Sequence, residues 1–204
     1  IERPSVSLLS FSNTHKKTAS RPLERAVFEK KEENLPLLSN TKGAKIGTFF
    51  HKLLEKLLFS GSYEDKDLLE KEIKKSPFAL WQDEIIALID RVLVLDIDGF
   101  CLKDVDPACM IQEMEFLLKE EDAEWKGFAD LVFFHNNHYY LIDWKMHLLE
   151  NYEEETLKKV IKEFRYEEQA SLYLKALSHC IDKTLFKGAY YVFVRGPRCI
   201  KLDI

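Results

Sequence analysis

Two short runs of strand-forming residues, Phe128 to Phe134 and Tyr139 to Lys145, flank the tetrad His135-Asn136-Asn137-His138. Runs rich in Val, Ile, Phe and Tyr around an Asn pair predict a β-hairpin. Asn tolerates positive φ, so Asn136-Asn137 suits the two-residue turn that matches strand twist. The register that follows sets His135 against His138, Phe134 against Tyr139 and, further out, Asp130 against Asp143. The two carboxylates would then lie on one face with β-carbons ~5 Å apart. Lys145 stands two residues beyond Asp143 and shares that face. Val132, Phe134, Tyr139 and Leu141 accompany the acids; Leu131, Phe133, Tyr140 and Ile142 form the other face. Strands apolar on both faces are central and covered on both sides.

Like charges directly opposite destabilise a sheet. Buried together, they force one pKa up or demand a cation between them. Two acids around a divalent metal, with an ammonium at the rim, make a hydrolytic site. The competing reading is a solvated pair at a sheet edge, each acid with its own Lys or Arg. The apolar flanks on both faces argue against that.

The rest of the chain supports one sizeable core. It has 204 residues, 46% hydrophobic and 32% charged, which predicts a single domain. No stretch is long and apolar enough to span a membrane, and no signal-peptide pattern opens the chain. Its first residue is Ile rather than Met, as expected of a piece of a longer polypeptide. Net charge is −5, so nucleic-acid binding would need a local groove or a metal site rather than a general basic surface. Cation-bearing candidates for a groove are His15-Lys16-Lys17, Arg21 and Arg25, and a plain solvated surface is the equal alternative. Cys101, Cys109, Cys180 and Cys199 form no CxxC pair. That excludes ordinary zinc spacing and points to a reducing compartment such as the cytoplasm.

Periodicity gives the remaining elements. Residues 5–17 and 21–33 are compatible with helices, the first capped at Ser10 or Ser12, and 34–43 with a loop. Phe49, Phe50, Leu53, Leu54, Leu57 and Leu58 form a broad apolar stripe, hence a buried helix capped by Gly47 or Thr48. His51 and Glu55 project from one side of it. Polar 63–75 and the apolar repeat Trp81, Ile85, Leu88, Ile89, Val92 predict two more helices; 110–118 predicts a strand feeding the hairpin. Helices over 151–162 and 164–180 follow, the second carrying Tyr166, Gln169 and Tyr173 on one face, and strands 188–194 and 198–204 close the chain. This alternation indicates an α/β domain with a mixed sheet.

Six ordered segments resemble the RecB-type nuclease domain of the PD-(D/E)XK superfamily. Gly47-Thr48-Phe49-Phe50-His51-Lys52-Leu53-Leu54-Glu55 is similar to its Gly-Thr-hydrophobic-His-x-x-x-Glu helix, and Gln112-Glu113-Met114-Glu115-Phe116 to its acidic strand. Gly127-Phe128-Ala129-Asp130-Leu131-Val132 and Asp143-Trp144-Lys145 are similar to its Asp-Leu-Val and Asp-x-Lys strands. Arg165 to Tyr173 resembles the Gln-x-x-x-Tyr helix, and Tyr190 to Gly196 the closing strand with its Phe-x-Arg-Gly end. The resemblance implies a restriction-endonuclease-like core with a mixed central sheet of about five strands flanked by helices. Residues 1–43 would be a helical and linker region and 44–204 the nuclease core.

It also implies a Mg²⁺-dependent DNA nuclease, with Mn²⁺ able to substitute, acting in double-strand-break processing and recombinational repair. The products expected of the family are 5′-phosphate and 3′-hydroxyl ends. An upstream helicase domain in the same polypeptide and RecC- and RecD-like subunits are the implied partners besides DNA. Neither zinc nor an iron–sulfur cluster is expected, since Cys180 and Cys199 lack the clustered spacing of relatives that carry one. By resemblance, His51, Asp130, Asp143 and the Trp144 carbonyl would ligate the metal, and the Trp144 indole would be core. Lys145 would position water or stabilise transition-state charge. Glu55 would orient His51 or hold a metal-bound water, and Glu115 is favoured over Glu113 as a supporting acid. Gln169, Tyr173 and Tyr166 would contact the DNA backbone or brace the site. His135 and His138 are expected to be solvated.

Three other readings compete, one of them a different PD-(D/E)XK activity such as a resolvase or restriction-type endonuclease, against which the Gln-x-x-x-Tyr helix favours the RecB branch. A nuclease-like domain used only to dock DNA or partner subunits would have lost the acids or the lysine, and all stand here. Val92 to Gly99 is similar to the first motif of haloacid-dehalogenase-type phosphatases, with Asp96 as nucleophile, but Phe100 replaces the usual Thr and the preceding helical period runs in without a break.

Overall fold

A computed structural model describes residues 7–9, 44–61, 63, 65–119 and 123–202. Its elements in chain order are β1 (Ser7–Leu9), α1 (Ala44–Ser60), α2 (Lys66–Lys74), α3 (Gln82–Leu93), β2 (Met110–Lys119), β3 (Ala123–His135), β4 (His138–Lys145), α4 (Glu154–Glu163), α5 (Tyr166–Leu177), β5 (Phe186–Phe193) and β6 (Arg198–Lys201). The sheet runs β2-β3-β4-β5-β6, antiparallel except for the parallel β4–β5 pair, and short β1 lies parallel to the start of β3. The expected mixed sheet is therefore present, with β1 as a sixth strand. The β4–β5 crossover carries α4 and α5, as a parallel pair requires.

Helices cover both faces. α1, α2 and α3 pack with Leu131, Phe133, Tyr140, Ile142 and Trp144 on one side. α4 and α5 pack with Val132, Leu141, Tyr191 and Phe193 on the other. That division is the one alternation predicted for the hairpin. Its turn is also as expected: Asn136 and Asn137 both adopt positive φ, 47° and 62°, and the register pairs His135 with His138. His135 is less solvated than expected, because its ring packs 4.3 Å from that of Phe100. No helix among the described residues is long and apolar enough to cross a membrane.

Two expectations are corrected, and a third stretch falls as the preferred reading had it. Residues 7–9 form a strand, not helix, because the edge of β3 supplies backbone partners that local propensity does not register; the rest of 5–17, the helix at 21–33, the loop at 34–43 and the basic residues among them lie outside the described residues. α1 begins at Ala44 rather than at a Gly47 or Thr48 cap. Ile46 is 2% exposed and extends the apolar stripe back by one turn, which outweighs the helix penalty of Gly47, about 1 kcal/mol. The stretch 92–99 is a helix end and a turn, in which Asp96 accepts from the Gly99 amide at 3.3 Å. The phosphatase motif thus lacks its strand.

Alternation fails at a place that matters for the site. Residues two apart on a strand face the same side. On β2, however, the amide of Gln112 bonds Glu55 and Phe59 of α1, whereas Met114 and Phe116 pack with α5 on the opposite face. On β3, Leu131 and Ala129 divide the same way. The register passes from Gln112–Leu131 to Met114–Ala129 without pairing Glu113 to Asp130, and Glu113 has φ 46°. The strand pair turns over there, at the cost of a left-handed glutamate.

Beyond that turnover the Phe116 ring lies over Gly127, where an added β-carbon would fall 2.6 Å from Cζ, and meets Tyr173 edge-on at 5.4 Å. Gly127→Ala is expected to displace the ring and destabilise the protein by about 1–3 kcal/mol in denaturant unfolding. Adding Phe116→Leu should recover much of that loss. Equal stability of Gly127→Ala and the parent would contradict this packing.

Candidate metal centre and its bracing network

The hairpin ladder ends at Leu131–Ile142. One step out, a side chain replaces the backbone: Asp130 Oδ2 accepts from the Trp144 amide at 2.7 Å. The Trp144 carbonyl faces His51 Nε2 at 3.2 Å, and His51 Nδ1 lies 3.3 Å from Asp130 Oδ1. α1 delivers His51 from the rim of its buried stripe, between Phe50 and Leu54. An acceptor beside each ring nitrogen favours the doubly protonated imidazole. Burial opposes that charge, but the hydrogen bond and charge of Asp130, with Asp143 and Glu113 behind it, raise its pKa above the ordinary value.

Glu113 completes this group. Single ligand atoms of His51, Glu113 and Asp130 all lie within 4.8 Å of one another. Burial and the charge of Asp130 push the Glu113 carboxyl up, as expected of crowded acids. Glu115, the acid favoured from sequence, is instead half-exposed and paired with Lys126. The turnover at Glu113 is the reason: strict alternation puts both glutamates on one face, and the structure separates them. Glu55 is exposed and acts on Glu113 by charge. The donor set, two carboxylates, an imidazole and a nearby carbonyl, fits a hard divalent cation once His51 gives up a proton.

Asp143 adjoins this group without joining it. It is 4% exposed, and its two oxygens are engaged separately. Lys145 Nζ lies 2.5 Å from Oδ2, and the Tyr173 hydroxyl donates to Oδ1 at 3.2 Å. Lys145 also donates to Gln169 Oε1 at 3.0 Å, and Gln169 Nε2 donates to the Tyr173 hydroxyl at 2.8 Å. Asp143, Lys145, Gln169 and Tyr173 therefore form a closed hydrogen-bonded ring. Tyr166 and Tyr191 place their rings 4.0 and 4.6 Å from the ammonium. Beneath them His147 bonds the Tyr166 hydroxyl; burial and the charges of Lys145 and Arg195 lower its pKa to about 4, so it stays neutral.

The expected helix face of Tyr166, Gln169 and Tyr173 does converge here. Of the two roles expected, the geometry fits bracing: Tyr166 and Tyr173 are 7% and 6% exposed and their hydroxyls are already bonded. The Trp144 indole is core, as expected. Tyr191 was not legible in the sequence. It neighbours Asp143 only through the parallel β4–β5 register, which no local pattern reveals.

Asp143 carries an electrostatic cost. Burial first, and Asp130 after it, raise its pKa to about 6 despite Lys145. Between the ordinary 3.8 and about 6 the folded state binds the extra proton, so stability falls as pH rises through that window. The rise from 3.8 to about 6 corresponds to on the order of 3 kcal/mol at neutral pH. Asp143→Asn should therefore unfold at higher temperature than the parent above that window in chelator. The difference should vanish below it. A lower melting midpoint for the variant at neutral pH would refute this account.

No family model matches the chain. Curated relatives do. The RecBCD enzyme subunit RecB of Chlamydia pneumoniae is 30% identical over 215 residues, covering 95% of this chain and 20% of that protein. RecB of Chlamydia muridarum is 32% identical over 168 residues, covering 76% and 16%. RecB of Escherichia coli is 26% identical over 199 residues, covering 76% and 17%. The chain thus spans no more than about a fifth of the length of the relatives it matches. Matched over most of its length to RecB subunits from several bacteria, with the paired acids, lysine and histidine on an α/β core, the chain belongs to the RecB family.

Proposed function

We propose that this chain is a Mg²⁺-dependent DNA phosphodiesterase domain of a cytoplasmic RecBCD-type helicase–nuclease, acting in double-strand-break processing and recombinational repair. The observation that carries the reading is the convergence of His51, Glu113 and Asp130 within 4.8 Å, beside the buried Asp143–Lys145 pair. Asp130, Glu113, Asp143, His51 and the Trp144 carbonyl would hold the cation; an oxygen-rich set favours Mg²⁺, and Mn²⁺ would also accept the imidazole. Such a cation polarises a phosphodiester and acidifies water next to it. The activity requires the acids ionised, so His51 must release a proton to offer a lone pair.

The protein's own groups supply the remainder. Lys145 presents an ammonium held by Asp143 and Gln169 beside the acids, where negative charge grows on a phosphoryl oxygen during displacement. Tyr166 and Tyr191 keep water from its buried side. Glu55 stands at the open edge, one turn along from His51. The helicase segment and RecC- and RecD-like subunits are the partners that would deliver the strand.

Linear DNA should be degraded by the purified chain with Mg²⁺ or Mn²⁺ and not in chelator. Asp143→Ala should lose at least about a thousandfold in rate with its circular-dichroism spectrum unchanged. Cation-dependent cleavage surviving in Asp143→Ala would defeat the assignment. Calorimetry separates the docking reading, which expects DNA or subunit binding but no cation heat from the parent and no change in Glu113→Gln.

A further inference from the structure

We propose that Tyr191 is a positioning residue for Lys145, its buried hydroxyl steadying the Gln169 oxygen through which the Asp143–Lys145–Gln169–Tyr173 ring holds the ammonium. The inference rests on the function proposed above for its rate effects, but its geometry stands apart from it.

An ammonium is donor-only. With Lys145 Nζ 3.0 Å away, the Gln169 amide must turn its oxygen to Lys145 and its nitrogen to Tyr173. The Tyr173 oxygen then accepts from the amide, so its own proton has to go to Asp143 Oδ1. The ring therefore has a single polarity. Within the ring Gln169 Oε1 has Lys145 as its single partner, so the place of that oxygen and the aim of the ammonium depend on each other. Tyr191 supplies the missing restraint. Its hydroxyl, on a side chain 0% exposed, lies 2.8 Å from Gln169 Oε1 and 2.9 Å from the Tyr166 carbonyl. Both neighbours are acceptors for its single proton; with the amide already turned by donor-only Lys145, the Tyr191 hydroxyl adds a second donor to Gln169 Oε1 and fixes where that oxygen sits.

The consequence for Lys145 follows by subtraction. Of three N–H donors, one goes to Asp143 and one to Gln169, and the Tyr166 and Tyr191 rings back the ammonium. One N–H is left for a phosphoryl oxygen or water. Its aim depends on the other two bonds keeping their places, hence on the amide that Tyr191 holds. Small misplacements of a group of this kind reduce rates by an order of magnitude or more.

Tyr191→Phe removes the hydroxyl and leaves the ring under the ammonium. We expect kcat on DNA to fall about tenfold, with KM and the cation dissociation constant within about twofold of the parent. Gln169→Glu keeps an acceptor for Lys145 but sets a second acceptor against Tyr173, turning its proton away from Asp143. It should lose more rate than Tyr191→Phe. Independently of activity, the Lys145 side-chain ammonium signal in ¹⁵N NMR, protected from exchange in the parent, should broaden in Tyr191→Phe. Unchanged kcat together with an unchanged ammonium signal would show Tyr191 to be core packing only and overturn the proposal. If the parent itself cleaves no DNA, the proposed function fails, and the ammonium signal still decides whether Tyr191 holds Lys145.

Discussion

A carboxylate buried in the middle of a sheet must be met by donors on every side, and Asp143 sets that requirement for its neighbours. An ionised acid without partners in such a place is several kcal/mol out of balance. Lys145 two residues on and Tyr173 from the helix above are the answer, with Tyr191 of the next strand bonding Gln169 behind them. The parallel β4–β5 pair and the α4–α5 crossover are what bring those three together. Even so, Asp143 remains harder to ionise than an ordinary aspartate. The fold thus tolerates a group it would be more stable without, which is the usual mark of a site kept for its chemistry.

The second constraint lies where the hairpin stops pairing. Asp130 takes over the Trp144 amide with its side chain, and His51 occupies the Trp144 carbonyl. A backbone unit that would have been an ordinary rung becomes a junction between sheet and helix. Glu113 reaches the same junction because its strand turns over, in a backbone conformation that L residues seldom adopt. Strain and crowded acids at one point reinforce each other as signs of function, since neither contributes to stability.

These two halves differ in character. His51, Glu113 and Asp130 are partly open and compete for charge. Asp143, Lys145, Gln169, Tyr173 and Tyr191 are largely buried and linked to one another by hydrogen bonds. The first group can exchange its proton for a cation; the second holds an ammonium steady beside it. Separating a responsive cluster from a rigid one is how a site binds a variable occupant without losing its aim.

The hairpin, its turn, the buried faces of β3 and β4, and the adjacency of Asp143 to Lys145 were all legible in the sequence. Each follows from a short-range rule: Asn at positive φ, alternation on a strand, and a two-residue step between like-facing side chains. The helix that carries His51 was legible as well, since its stripe repeats at helical period. Glu113 over Glu115 was not, because a turnover in one strand depends on how two faces are covered. Nor was Tyr191, whose place beside Asp143 comes from a parallel register set across an intervening helical crossover; for Tyr166 and Tyr173 the sequence left bracing and DNA contact open, because the choice depends on burial. The sequence by itself determined the local geometry and the inventory of acids, because those interactions act between near neighbours in the chain. Only the tertiary structure decided which acids meet and which side chains hold them, because those contacts join strands and helices whose separation along the chain carries no periodic signal.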